Sequence, residues 1–163
     1  MRIIIISDTH IPKRGKGIPF LILKEIEKCD LIIHAGDFTN FETVKFLESL
    51  NKFYGVAGNM DEKEVWEYLP EKRIIEINNK KIGIIHGFGP PIGIESKIIK
   101  RFEGENVDII VYGHTHRASI KNYKNILLLN PGSPTDTIFS FKRTYMILEI
   151  GEEVNAQIFE VKD

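Results

Sequence analysis

The chain is poor in the residues that would point to a secreted or disulfide-stapled protein. Cys29 is its single cysteine, so neither an intrachain disulfide nor a thiolate metal cluster can form. Net charge is scarce too: 22 Lys+Arg stand against 23 Asp+Glu, giving −1. That balance removes the electrostatic argument for nucleic acid or an anionic membrane as the main partner. No apolar run approaches the roughly 18 residues of a membrane helix, and the run in "MRIIIISDTH" is too short for a signal-peptide core. A cytoplasmic location is the expectation. One domain spanning 1–163, with 42% hydrophobic residues to fill its core, is also expected.

What the chain does have is alternation. "RIIII" (Arg2–Ile6) and "DLIIH" (Asp30–His34) are continuous apolar runs, the mark of strands buried on both faces. "KFYGVA" (Lys52–Ala57) and "VDIIVY" (Val107–Tyr112) read as further strands. Helical spacing covers Pro19–Cys29, Phe41–Leu50 with Asn40 as cap, Asp61–Leu69 and Ile94–Glu103. "RIIEI" and "KIGIIH" flank a hairpin turn, "NNK". After residue 117 the chain reads as a run of strands, mostly antiparallel. One sheet would not easily hold them all, so two packed sheets with helices outside are expected.

The chemistry sits where the apolar runs stop. Asp8, Thr9 and His10 follow the first, Asp37 the second, Asn59 the third, His86 another, and His114 and His116 the last. Gly36, Gly58 and Gly113 directly precede three of these residues, suggesting sharp turns out of the sheet. Strands of shared direction would bring such ends to one edge, where sites form in open α/β sheets. Two carboxylates, one amide and four imidazoles suit Mn, Fe, Co, Ni or Zn better than calcium. Seven ligands are too many for one such ion and enough for two that share a carboxylate.

In their order, "DTH", "AGD", "AGN", "IIHG" and "GHTH" resemble the motifs of the calcineurin-like metallophosphoesterase superfamily. The short length, "GNMD" and "NPGS" (Asn130–Ser133) are similar to its small prokaryotic phosphodiesterase branch. The resemblance implies a four-layer α/β/β/α sandwich of two mixed sheets flanked by helices. It implies two divalent cations, one held by Asp8, His10, Asp37 and His116, the other by Asp37, Asn59, His86 and His114. Asp37 would bridge, and a hydroxide between the ions would attack phosphorus, with Asp37, Asn59 and His86 as the catalytic group. Many members have a histidine after the third-motif asparagine; here the residue is Met60, which cannot protonate a leaving group.

A phosphodiesterase acting on a small phosphoester is therefore expected. A phosphomonoesterase is the alternative, and so is a non-catalytic scaffold like the retromer's vacuolar-sorting subunit. Edge strands near the carboxyl terminus would allow pairing with a second copy. His34 is expected to support the ligands rather than bind metal, and Asp61 to start a helix. Lys13, Arg14 and Lys16 read as a solvated loop, with a substrate-phosphate contact the less favoured alternative. Arg117 is assigned a structural role. Trp66, with Val65 and Leu69, is placed on the buried face of its helix.

Overall fold

The computed structural model describes residues 1–162. Its first sheet contains β1 (Arg2–Ile6), β2 (Leu31–His34) and β3 (Phe53–Gly55), which run parallel, with α1 (Phe20–Ile26) and α2 (Phe41–Leu50) as crossovers. The helix α3 (Lys63–Tyr68) then leads to a second sheet of β4 (Lys72–Ile77), β5 (Lys80–Ile85), β6 (Ile109–Val111), β7 (Ser119–Tyr123) and β8 (Ile126–Asn130). The connection from β5 to β6 is α4 (Ile94–Arg101). Finally β9 (Thr144–Ile150) and β10 (Val154–Glu160) return to the first sheet. Strand orders are β10-β9-β1-β2-β3 and β4-β5-β6-β8-β7. Both sheets are mixed, as expected: β5, β6 and β8 are parallel, whereas β4, β7, β9 and β10 are antiparallel to their neighbours.

Alternation along β1 explains the layering. Ile3 and Ile5 join Leu31 and Ile33 against Ile82, Ile84, Ile109 and Val111 of the second sheet. Ile4 and Ile6 point the other way, onto Ile22 and Ile26 of α1 and Val44 and Leu47 of α2. On the far side, Ile85 and Ile110 pack against Ile94, Ile98 and Phe102 at α4. Successive strand residues face opposite sides, so a strand sandwiched between sheet and helices is apolar at every position. The result is the four-layer α/β/β/α sandwich.

The differences from expectation have local causes. The first helix stops at Ile26, short of Cys29; the Cys29 amide closes a turn on Ile26 O, and the Asp30 amide donates to Arg2 O, drawing the chain into β2. The third helix starts at Lys63, because the Asp61 carboxylate is engaged elsewhere. Trp66 is 43% exposed, so that helix buries Val65 and Leu69 without it. The carboxyl-terminal strands do not form one run of hairpins. β7 and β8 pair in the second sheet and β9 and β10 in the first, with the segment after Asn130 crossing between them.

Candidate metal centre

The parallel strands of both sheets end at one edge. From the first sheet, Asp8 and His10 follow β1 and Asp37 follows β2; from the second, His86 follows β5 and His116 follows β6. Two groups of side chains there offer ligand atoms within 4.8 Å of one another: Asp8, His10 and His116, and Asp8, Asp37 and His86. Asp8 Oδ1 is 3.2 Å from His116 Nε2, 3.7 Å from His10 Nε2 and 3.8 Å from His86 Nε2. Asp37 Oδ2 is 3.1 Å from His86 Nε2 and 3.6 Å from His10 Nε2.

Each carboxylate is held by one oxygen and offers the other. Asp8 Oδ2 accepts from Ser7 Oγ (2.5 Å) and from the His114 amide (3.1 Å). Asp37 Oδ1 accepts from the Met60 amide (2.8 Å). The remaining oxygens, Asp8 Oδ1 and Asp37 Oδ2, face the imidazoles. Asp8 is 0% and Asp37 2% exposed, yet Asp8 Oδ1 and His86 Nε2 have no hydrogen-bond partner. An unpartnered carboxylate oxygen buried beside a second buried carboxylate is unfavourable unless positive charge joins them. The donor set therefore fits divalent metal.

The imidazoles are oriented from behind. His86 Nδ1 donates to Ala35 O (2.7 Å), which turns Nε2 toward Asp37. His116 Nδ1 bonds the Asp136 carboxylate. Burial would hold the His86 imidazolium down, but Asp8 and Asp37 outweigh it and push its pKa up to about 9. His116 is raised for the same reason, burial being offset by Asp8 and Asp136. Reciprocally, His86, His10 and His116 hold the Asp8 carboxyl well below its ordinary range although burial alone would raise it. The shared direction of these shifts shows that the site favours positive charge beside its carboxylates, the role divalent cations would take.

Backbone strain is concentrated here. Asp8, His10, Asp37, His114 and His116 all have positive φ, between 44° and 70°. Non-glycine residues rarely adopt this region, and it persists where surrounding contacts enforce it. Two of the preceding glycines serve a purpose different from the one expected. At Gly58 and Gly113 a Cβ would overlap the Asp37 and Asp8 carboxylates, so the need is for close approach; only Gly36, at φ 94°, uses glycine's conformational freedom.

The other two residues singled out from sequence stand beside this cluster. His114 Nδ1 is 3.2 Å from Asn59 Oδ1, and its Nε2 is 2.8 Å from Gly89 O. Both line a cleft of about 360 Å³ that also reaches Arg14, Met60, Arg117 and Phe139. Arg117 therefore borders the centre, because β7 begins only at Ser119, too late to set its side-chain direction. Arg14 also departs from the solvated-loop reading, since Nη1 pairs with Asp136 at 3.1 Å.

His34 lies behind the cluster, bonded to Thr9 Oγ1 (3.1 Å) and to the Gly36 amide (3.1 Å) and stacked on Phe38. Burial lowers its pKa to about 3, against the pull of Asp8. Asp61 accepts from the amides of Asp37 (3.0 Å), Thr39 (2.7 Å) and Gly58 (2.8 Å), so it ties the Asp37 and Asn59 loops together instead of starting a helix. Ser133 Oγ donates to Asp8 O (2.7 Å). Asp136 had no signal of its own in the sequence beyond its nearness to "NPGS".

Comparison with known proteins places the chain in a family. The model of the calcineurin-like phosphoesterase superfamily domain matches residues 1–153. The chain belongs to this superfamily. A probable metallophosphoesterase of Methanocaldococcus jannaschii is 39% identical over all of this chain and 83% of its own length. Among solved structures of superfamily fold, wild-type Vps29 of Entamoeba histolytica complexed with zinc superposes with a TM-score of 0.78 at 27% identity, covering 98% of this chain and 99% of that one. A structure described as a novel archaeal phosphodiesterase gives 0.73 at 26% identity, covering 98% and 100%. Among the described residues, no helix is long and apolar enough to cross a membrane.

Proposed function

We propose that this phosphoesterase hydrolyses phosphodiesters with two divalent cations drawn from Mn, Ni, Fe, Co or Zn. Asp8, His10, Asp37 and His116 would hold one ion, and Asp37, Asn59, His86 and His114 the other. The reading is carried by one observation: both buried carboxylates keep one oxygen for backbone or hydroxyl donors and turn the other to imidazoles from the second sheet. Bound cations of this kind supply hydroxide near neutral pH and neutralise phosphoryl charge.

The chain's own groups supply the rest. Ala35 O and Asp136 keep the Nδ1 atoms of His86 and His116 occupied, so that Nε2 remains the coordinating atom. The Asn59 amide lines the open cleft, where it would meet a phosphoryl oxygen as well as metal. Met60 lines it too and has no proton to give. Position 60 therefore gives the leaving group no proton, and unless another residue replaces that helper weakly basic alcohols are favoured. The kinship with a phosphodiesterase at 26% identity supports the diester assignment.

The test is hydrolysis by the Mn²⁺-loaded protein. Bis(4-nitrophenyl) phosphate should be cleaved with higher kcat/KM than 4-nitrophenyl phosphate, and an alkyl diester should lag both aryl esters. Preference for the monoester would overturn the diester reading. A protein-docking role is the second reading, favoured by exposed Phe139 at the cleft, exposed Phe88 beside His86, and exposed Ile92, Ile138 and Phe141 on the same two loops. It predicts metal binding without turnover of any ester.

A further inference from the structure

The loop after β1 returns to the metal centre through a side chain that the ligand assignment does not use. Arg14 begins from a turn closed on a ligand residue, its amide donating to His10 O at 2.7 Å. Its guanidinium then reaches Asp136, and its Cζ lies 4.6 Å above the Phe139 ring centroid. Phe139 in turn meets the His116 ring edge-on, 6.1 Å between centroids. Arg14 is thereby held from three sides, and it lines the same cleft as His10, Asp37 and His116.

Neutralising Asp136 is the simplest alternative role for this arginine, and the donor count argues against it as the whole explanation. Asp136 is fully buried and already accepts from His116 Nδ1 and from the amides of Ile138 (2.8 Å) and Phe139 (3.3 Å). Arg14 contributes one further bond, from Nη1. A guanidinium has five N–H donors, and among the described residues only this one is engaged with a side-chain acceptor. The side chain remains a quarter exposed and lines the cleft. A pre-oriented, stacked cation with spare planar donors is suited to bind phosphate oxygens.

We infer that Arg14 binds the non-bridging phosphoryl oxygens of the substrate, and that Asp136 is a positioning residue serving Arg14 and His116 together. The inference rests on the phosphoesterase reading and assigns that site its anion contact. One buried carboxylate then couples metal occupancy to substrate binding. Its Oδ2 orients a metal-side imidazole while its Oδ1 aims the guanidinium. Lysine would not substitute, because its ammonium lacks the planar fork and the stacking face.

The experiment measures two quantities on each Mn²⁺-loaded protein: bound metal, and calorimetric affinity for inorganic phosphate. Arg14→Gln should retain wild-type metal content and weaken phosphate binding about tenfold or more, with Arg14→Lys recovering little of it. Asp136→Asn should lower both metal content and phosphate affinity. At saturating Mn²⁺, adding Arg14→Gln to Asp136→Asn should cost much less than Arg14→Gln alone, the sign of a shared pathway. Wild-type phosphate affinity in Arg14→Gln overturns the inference while leaving the phosphoesterase reading intact. Wild-type protein that holds metal, binds no phosphate and cleaves no ester overturns both.

Discussion

The two sheets bring different chemistry to their shared edge. The first supplies both carboxylates, the amide of Asn59 and a single imidazole, His10; the second supplies imidazoles alone, His86, His114 and His116. Neither half could hold two cations. Charge follows the same division: the anions of one sheet set the raised pKa of His86 on the other, and those imidazoles keep Asp8 ionised. The centre therefore exists only when the sheets are packed, and metal binding should report on their junction.

The largest effects should come from removing the shared anions. Asp37→Ala is expected to lower kcat/KM by about a thousandfold or more, roughly 4 kcal/mol of barrier, while circular dichroism remains native. A stoichiometry comparison sharpens the point: if Asp37 bridges, Asp37→Asn should lose both ions and Asp8→Asn only one, as read by metal analysis. The reverse pattern would make Asp8, which both ligand groups share, the bridge.

Next in size is a wedge between the sheets. Gly113→Ala places a Cβ against Ser7 and Asp8 across the junction, and should lower both metal content and thermal stability. Ile84→Ala, at a fully buried contact between the sheets, should cost about 2–5 kcal/mol in denaturant unfolding. If Ile84→Ala leaves metal affinity as high as wild type, the centre does not depend on the junction in the way described.

Chelation tests the same coupling without mutation. Metal at about a hundredfold over Kd should stabilise the fold by roughly 2.7 kcal/mol, so stripping it should lower Tm by about 5–10 °C.

The smallest effect, read over a single pH unit, concerns His34, which belongs to the first sheet. Its folded pKa, about 3, lies below its ordinary 6.5. Between those values the unfolded chain binds the extra proton, so its contribution is fully present above pH 6.5 and is lost as pH falls toward 3. The slope is at most about 1.4 kcal/mol per pH unit. His34→Gln should flatten the stability profile between pH 6 and 5; an unchanged slope would refute the linkage.

Much of this was legible before any coordinates. Ile3 to Ile6 are apolar at every position because both strand faces are covered, and Asp8, Asp37, Asn59, His86, His114 and His116 were marked by following apolar runs. Asp136 was not, because it terminates no buried strand, and Arg14 was read first as part of a solvated loop, with a phosphate contact only the less favoured alternative. Trp66 misled because helical spacing describes a face without saying whether another layer covers it.

The order of strands and helices, and the donor types at strand ends, were determined by the sequence, since local periodicity and short-range turns encode them. Tertiary structure alone decided which carboxylate oxygens remain unsatisfied, why Gly58 and Gly113 must lack a Cβ, and how Asp136 joins Arg14 to His116. Those facts depend on distances between residues as many as 122 positions apart in the chain, which packing of the two sheets sets and no local pattern records.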